Sequence, residues 1–161
     1  MSDENDDYVI ESTDAGSSLT IPMEAGAIKK GGFMVVKGRA SKVLSISVSK
    51  TGKHGHAKCN FLVVDIFNGR KYEDMVPSTH GALVPLVART EWNIMDITDE
   101  GFVSLFNEGG DQKDDLKLPD YPEDLAKEIT EAWAEGDNEV AVSVQASMGI
   151  EQIIAYKKTT E

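Results

Sequence analysis

The sequence predicts a mainly β protein with a single helix, built as two small barrels in series. Three observations carry that prediction. Short apolar runs, alternating or continuous, recur along the chain between Gly-, Asn- and Asp-bearing turns. Only residues 122–136 place apolar side chains at helical spacing. Finally, the charge balance changes sign near Pro85-Leu86-Val87-Ala88, where the composition also breaks. A chain of 161 residues with 40% hydrophobic content suffices for one ordinary domain or two small ones.

The elements follow in order. Residues 1–19 hold six acids and no Lys or Arg, with little apolar periodicity, and read as a disordered acidic tail. Phe33-Met34-Val35-Val36 is a short strand stopped by Gly38. Residues 42–50 alternate, with Leu44, Ile46 and Val48 on one face and Ser45, Ser47 and Ser49 on the other, so one face should be buried. After a polar loop, residues 61–67 form another strand, Asn68-Gly69 a hairpin turn, and residues 71–76 the returning strand. This first barrel, residues 20–87, carries ten bases against four acids.

The second unit, residues 88–161, carries six bases against eighteen acids. Strands are expected over 91–98, 101–106 and 114–118, with a turn at Gly109-Gly110-Asp111. Pro122 suits a first helical position. Leu125, Ile129 and Trp133 recur every four residues, and Gly136 can end the helix. Val140, Val142 and Val144 alternate, and residues 150–157 form a last strand. Strands, one helix, then strands fit a five-stranded Greek-key barrel of the OB type. Trp92 and Trp133 lie on periodic apolar faces and read as core residues.

Several function classes are disfavoured. No stretch approaches the roughly 20 apolar residues of a membrane span. The acidic start lacks a signal-peptide pattern, and the lone Cys59 allows no internal disulfide, so a reducing, cytoplasmic location is expected. The Gly52-Lys53 pair is not a Walker A loop, because Ser47 and His54 occupy positions that need Gly and Ser or Thr. His54 and His56 have no neighbouring Cys or carboxylate to complete a metal site, and Asp111, Asp114 and Asp115 lack EF-hand order. No bound cofactor and no catalytic residue are expected.

The most informative stretch is Ser49-Lys50-Thr51-Gly52-Lys53-His54-Gly55-His56-Ala57-Lys58. No acid occurs from Lys29 through Val64 to neutralise it. Gly52 and Gly55 permit tight turns around Lys53, so a hairpin tip presenting that lysine is expected. Such a tip suits phosphate contact; a basic hairpin that is merely solvated is equally compatible with these residues alone.

These ten contiguous residues resemble the hypusine loop of eukaryotic translation initiation factor 5A. Asp14-Ala15-Gly16, Asp65-Ile66-Phe67, Lys71-Tyr72-Glu73-Asp74, Pro77-Ser78-Thr79-His80 and Lys113-Asp114-Asp115-Leu116-Lys117 are similar to the same family. Ala40-Ser41, Gly81-Ala82-Leu83 and the far C-terminus depart from its usual pattern. The resemblance implies an SH3-like barrel followed by an OB fold. It further implies that Lys53 is converted to hypusine from spermidine by deoxyhypusine synthase and deoxyhypusine hydroxylase. Lys50, Thr51, Gly52, His54, Gly55, His56 and Lys58 would form the RNA-contacting loop around it. The implied partners are the ribosome at its E site (large subunit and whole particle), its rRNA and the P-site peptidyl-tRNA. The implied work is elongation through stalls such as proline runs, and termination. The rival readings are a general RNA-binding or mRNA-transport module and an enzyme acting through Lys53.

Overall fold

The computed structural model describes residues 19–50 and 57–159, and the chain contacts divide between Leu86 and Val87. The division leaves a β unit before it and, apart from the turn at residues 147–149, a second β unit after it.

In the first unit, β2 (Phe33–Val36), β3 (Arg39–Lys50), β4 (Ala57–Asp65) and β5 (Lys71–Pro77) form one antiparallel sheet in that order. The strands β1 (Thr20–Glu24) and β6 (Gly81–Pro85) pair with each other as a second, two-stranded sheet. A 3-10 turn at Ala25–Ala27 follows β1, where Ala25 N–H donates to His80 O and Gly26 N–H to Ser78 O, both at 2.9 Å. The core holds Met34, Val36, Val43, Cys59, Phe61 and Val63 with Ala25 and Ile28. Burying Phe61 completely contributes about 2–3 kcal/mol relative to exposure.

The sheet departs from simple alternation at one point. Val43 pairs with Val63 and Ser45 with Leu62, so Leu44 is an extra residue on β3. Val43 therefore takes the core position ahead of the bulge, and Ile46 opposite Phe61 takes it beyond. The expected buried face of Leu44, Ile46 and Val48 is thus corrected: Leu44 and Ile46 are half-buried and Val48 is 63% exposed. The strand after Phe61 also ends earlier than expected, at Asp65, whose carboxylate builds the turn before Asn68-Gly69 is reached.

In the second unit, β7 (Ala88–Ile97), β8 (Phe102–Phe106), β9 (Gln112–Lys117), α1 (Leu125–Glu135), β10 (Glu139–Ser147) and β11 (Ile150–Thr159) follow in sequence. The sheet order is β11-β10-β7-β8-β9, and the helix connects β9 to β10 along the chain. The outer strands β9 and β11 come together, where Lys113 Nζ lies 2.7 Å from Glu151 Oε1. This closure gives the five-stranded OB barrel. Leu125, Ile129 and Ala132 of the helix bury against Ile94, Leu105, Val140, Val142, Val144 and Ile153. The helix begins at Leu125 and not at Pro122, which precedes it in a turn after a cis Tyr121–Pro122 bond; the Pro122 carbonyl accepts from Leu125 N–H at 3.1 Å.

Gly136 ends the helix as expected, with φ 73°. A Cβ there would meet nothing within 4 Å, so the cost of a side chain is purely conformational. Gly136→Ala should destabilise the second unit by about 1 kcal/mol. Denaturant unfolding followed by tryptophan fluorescence reads this directly, since both tryptophans, Trp92 and Trp133, belong to that unit.

Candidate functional site

The hairpin of β3 and β4 sets the site. At one end Ser41 pairs with Asp65; at the other the ladder runs out through Ser49↔Lys58 and Lys50↔Ala57. Eight residues of strand separate Asp65 from Ala57, about 27 Å at 3.3–3.4 Å per residue. The strand β2 covers the outer edge of β3 only over Arg39 to Lys42, and Gly31 and Gly32 extend that cover to Val43. Past Ile46, which still packs against the core, β3 runs clear of it, and Val48 is exposed.

Of the sequence-predicted site residues, Lys50 and Lys58 are placed here, both exposed, at the end of β3 and the start of β4. Because side chains alternate along a strand, Lys50 shares its face with Val48 and Cys59, whereas Lys58 shares the opposite face with Ser49. Positive charge thus lies on both faces of the ribbon. Thr51, Gly52, Lys53, His54, Gly55 and His56 lie outside the described residues, as does the expected acidic tail through residue 18.

The charge of the first unit as a whole is strongly one-sided, although its further cations lie toward the other end of the sheet. Lys29, Lys30, Lys37, Lys42, Arg70 and Lys71 are all exposed. Among the described residues of this unit, only Arg39 has a carboxylate within 4.0 Å, on Asp65. Lys37 lies over the Tyr72 ring at 5.3 Å. The remaining cations are available to an external anion.

The Arg39–Asp65 pair was not apparent from the sequence, since its members stand 26 residues apart. The Asp65 side chain is 1% exposed. It accepts from Arg39 Nε and from the backbone N–H groups of Phe67 at 2.8 Å and Asn68 at 3.1 Å. Burial pushes its pKa up, but the Arg39 hydrogen bond and the two backbone donors outweigh this and hold it below the usual carboxylate value. The pair joins the start of β3 to the β4–β5 turn, at the opposite end of the hairpin from the basic loop.

No group of three or more His, Cys, Asp or Glu residues among the described residues could hold a metal ion. No helix among them is long and apolar enough to cross a membrane.

The described residues thus form a basic β unit followed by an acidic OB barrel, and the ten-residue signature spans the end of β3, residues 51–56 and the start of β4. Residues 18–80 match a family described as translation initiation factor 5A-like, N-terminal, and residues 86–157 match one described as eukaryotic elongation factor 5A hypusine, DNA-binding OB fold. Eukaryotic translation initiation factor 5A-2 of Solanum lycopersicum is 52% identical over 157 residues, covering 98% of this chain and 96% of its own length. Eukaryotic translation initiation factor 5A of Zea mays is 50% identical, with 98% and 97% covered. Among solved structures, a translation initiation factor 5A family protein from Naegleria fowleri superposes with a TM-score of 0.80 at 47% identity, covering 87% of this chain and 99% of that one. Eukaryotic translation initiation factor 5A from Methanococcus jannaschii shares the fold, with a TM-score of 0.67 at 23% identity, covering 92% and 100%. The chain belongs to the translation initiation factor 5A family, and membership implies a hypusine-modified lysine.

Proposed function

We propose that the protein binds the ribosomal E site in the cytoplasm and that hypusinated Lys53 positions the P-site peptidyl-tRNA, promoting elongation through stalls such as proline runs and termination. The observation that carries this reading is the pair Lys50 and Lys58, exposed on opposite faces of the β3–β4 ribbon where it flanks the signature loop, neither with a carboxylate within 4.0 Å among the described residues. Phosphates are the partners that such cations fit best. Lys50, Thr51, Gly52, His54, Gly55, His56 and Lys58 make up the RNA-facing loop around Lys53. Deoxyhypusine synthase transfers the aminobutyl group of spermidine to the Lys53 amine, and deoxyhypusine hydroxylase adds the hydroxyl. The lengthened side chain carries two amines and acts by orientation, so the chain itself is not an enzyme and binds no cofactor. Removing residues 2–18 of the acidic tail should leave folding and ribosome binding nearly intact, whereas Leu19, whose carbonyl accepts from Leu86 N–H at 2.9 Å, belongs to the first unit. The basic unit, 20–87, meets rRNA. The acidic unit, 88–161, with eighteen acids against six bases, is repelled by RNA and docks elsewhere.

Salt dependence tests the contact surface. Full-length protein sedimented with ribosomes should show a steep linear fall of log affinity with log salt. Lys50→Gln and Lys58→Gln should each reduce that slope by about 1, the signature of a lost phosphate contact. Unchanged slopes would remove both lysines from the interface. The same cations also suit free RNA, so footprints on ribosomes and on free mRNA separate this reading from a general RNA-binding module. Protection confined to free mRNA would favour that rival.

A further inference from the structure

The OB unit has a groove with a chemistry opposite to that of the basic loop. It measures ≈ 610 Å³ and opens beside the C-terminal end of α1. Trp133 and Phe106 line it, each only half-buried, together with Asn93, Asn138 and the exposed carboxylates of Asp137 and Glu139. Neither carboxylate has a Lys, Arg or His nitrogen within 4.0 Å among the described residues; the nearby Lys158 is held on Glu135 at 2.9 Å. The helix supplies no basic side chain in its last turn, and no loop hydrogen bond among the described residues ends on its final carbonyls. The negative end of its dipole therefore opens toward the groove. A neighbouring depression of ≈ 600 Å³ shares Asn93 and Glu139 and adds Trp92, Glu91 and Glu108 against a single Lys157.

Half-exposed aromatic rings, unpaired carboxylates and free carbonyls form an acceptor-rich, aromatic surface. Its complement is a planar, donor-only cation. A guanidinium offers five N–H donors, keeps its charge at every physiological pH and stacks on aromatic faces. A lysine ammonium satisfies the charge but not the stacking. The shared wall between the two depressions lengthens the site beyond one side chain. We propose that this groove docks an arginine-bearing segment of a partner protein, with the guanidinium between Trp133, Phe106, Asp137 and Glu139. The inference does not depend on Lys53 or on ribosome binding by the first unit.

The test uses isotope-labelled full-length protein and the peptide acetyl-Gly-Arg-Gly-amide. Its citrulline counterpart has nearly the same shape without the charge. The arginine peptide should move the Trp133 indole N–H and the Asn93 and Asn138 side-chain signals in amide correlation spectra. Citrulline should leave them in place, and the lysine peptide should bind more weakly than arginine. Asp137→Asn with Glu139→Gln alters two exposed positions and should weaken binding by roughly tenfold without changing the fold. Equal shifts with citrulline, binding unaffected by the double substitution, or the same signals moving with single-stranded RNA would each overturn the assignment.

Discussion

Protein carrying Lys53→Arg should fold normally, bind ribosomes, and fail to sustain synthesis through proline runs. The substitution keeps the positive charge and nearly the length of the side chain. It removes the amine that must attack as a neutral nucleophile, because a guanidinium stays protonated throughout the accessible pH range. On the proposed mechanism no aminobutyl group is then added, and the side chain stops short of the tRNA. Loss of orientation alone costs on the order of 100-fold in rate. Translation of a polyproline reporter, with intact and peptide mass spectrometry of native-host protein, reads both steps. Lys50→Arg and Lys58→Arg are the controls, since both residues lie within β3 and β4 and outside the Gly52–Gly55 stretch that holds Lys53. They should retain near-normal activity. Full activity of Lys53→Arg, or active native protein with Lys53 unmodified, would sink the mechanism and leave the fold untouched.

What the sequence disclosed depended on how local the determining physics was. The helix was legible because Leu125 and Ile129 meet one apolar surface and Gly136 supplies the left-handed stop, all within three turns. Alternation at Val140, Val142 and Val144 was legible for the same reason. The strands β1 and β6 were not, because Thr20 and Pro85 pair across more than sixty residues and each strand contains a proline, Pro22 or Pro85. Proline in a short edge strand weakens the local signal, and only the tertiary partner explains the extension. The bulge at Leu44 likewise depends on β4 and cannot be read from β3 alone. Within the site, the ten-residue signature was contiguous and therefore visible. The Arg39–Asp65 pair depends on contact between distant segments and gave no such signal. Trp92 and Trp133 read as core and do pack against it, yet both also line the acidic groove surface. Apolar periodicity reports which side of a residue is buried and is silent on the half that is not.

Removing the Asp65 carboxylate should produce the largest stability loss of any single polar substitution in the first unit. In Asp65→Ala the N–H groups of Phe67 and Asn68 lose their acceptor, and Arg39 is left beside a buried void. The loss should be about 3 kcal/mol, on the order of 15 °C in Tm for a unit of this size. Calorimetry is the suitable measurement, because the first unit contains no tryptophan and fluorescence follows the second unit as an internal reference. The pH dependence gives an independent signature. The folded Asp65 carboxyl lies below its ordinary value, so its contribution is fully present above about pH 4, the unfolded value, and is lost as pH falls through the folded pKa. Wild-type stability should therefore drop on acidification over that window, by up to about 1.4 kcal/mol per pH unit from this one proton. Asp65→Asn retains one acceptor for the backbone donors but not the charge. It should fold, lose less stability than the alanine variant, and lack that acid limb. A loss below about 1 kcal/mol in Asp65→Ala, or an unchanged acid limb in Asp65→Asn, would show that the hairpin is held by its apolar face alone.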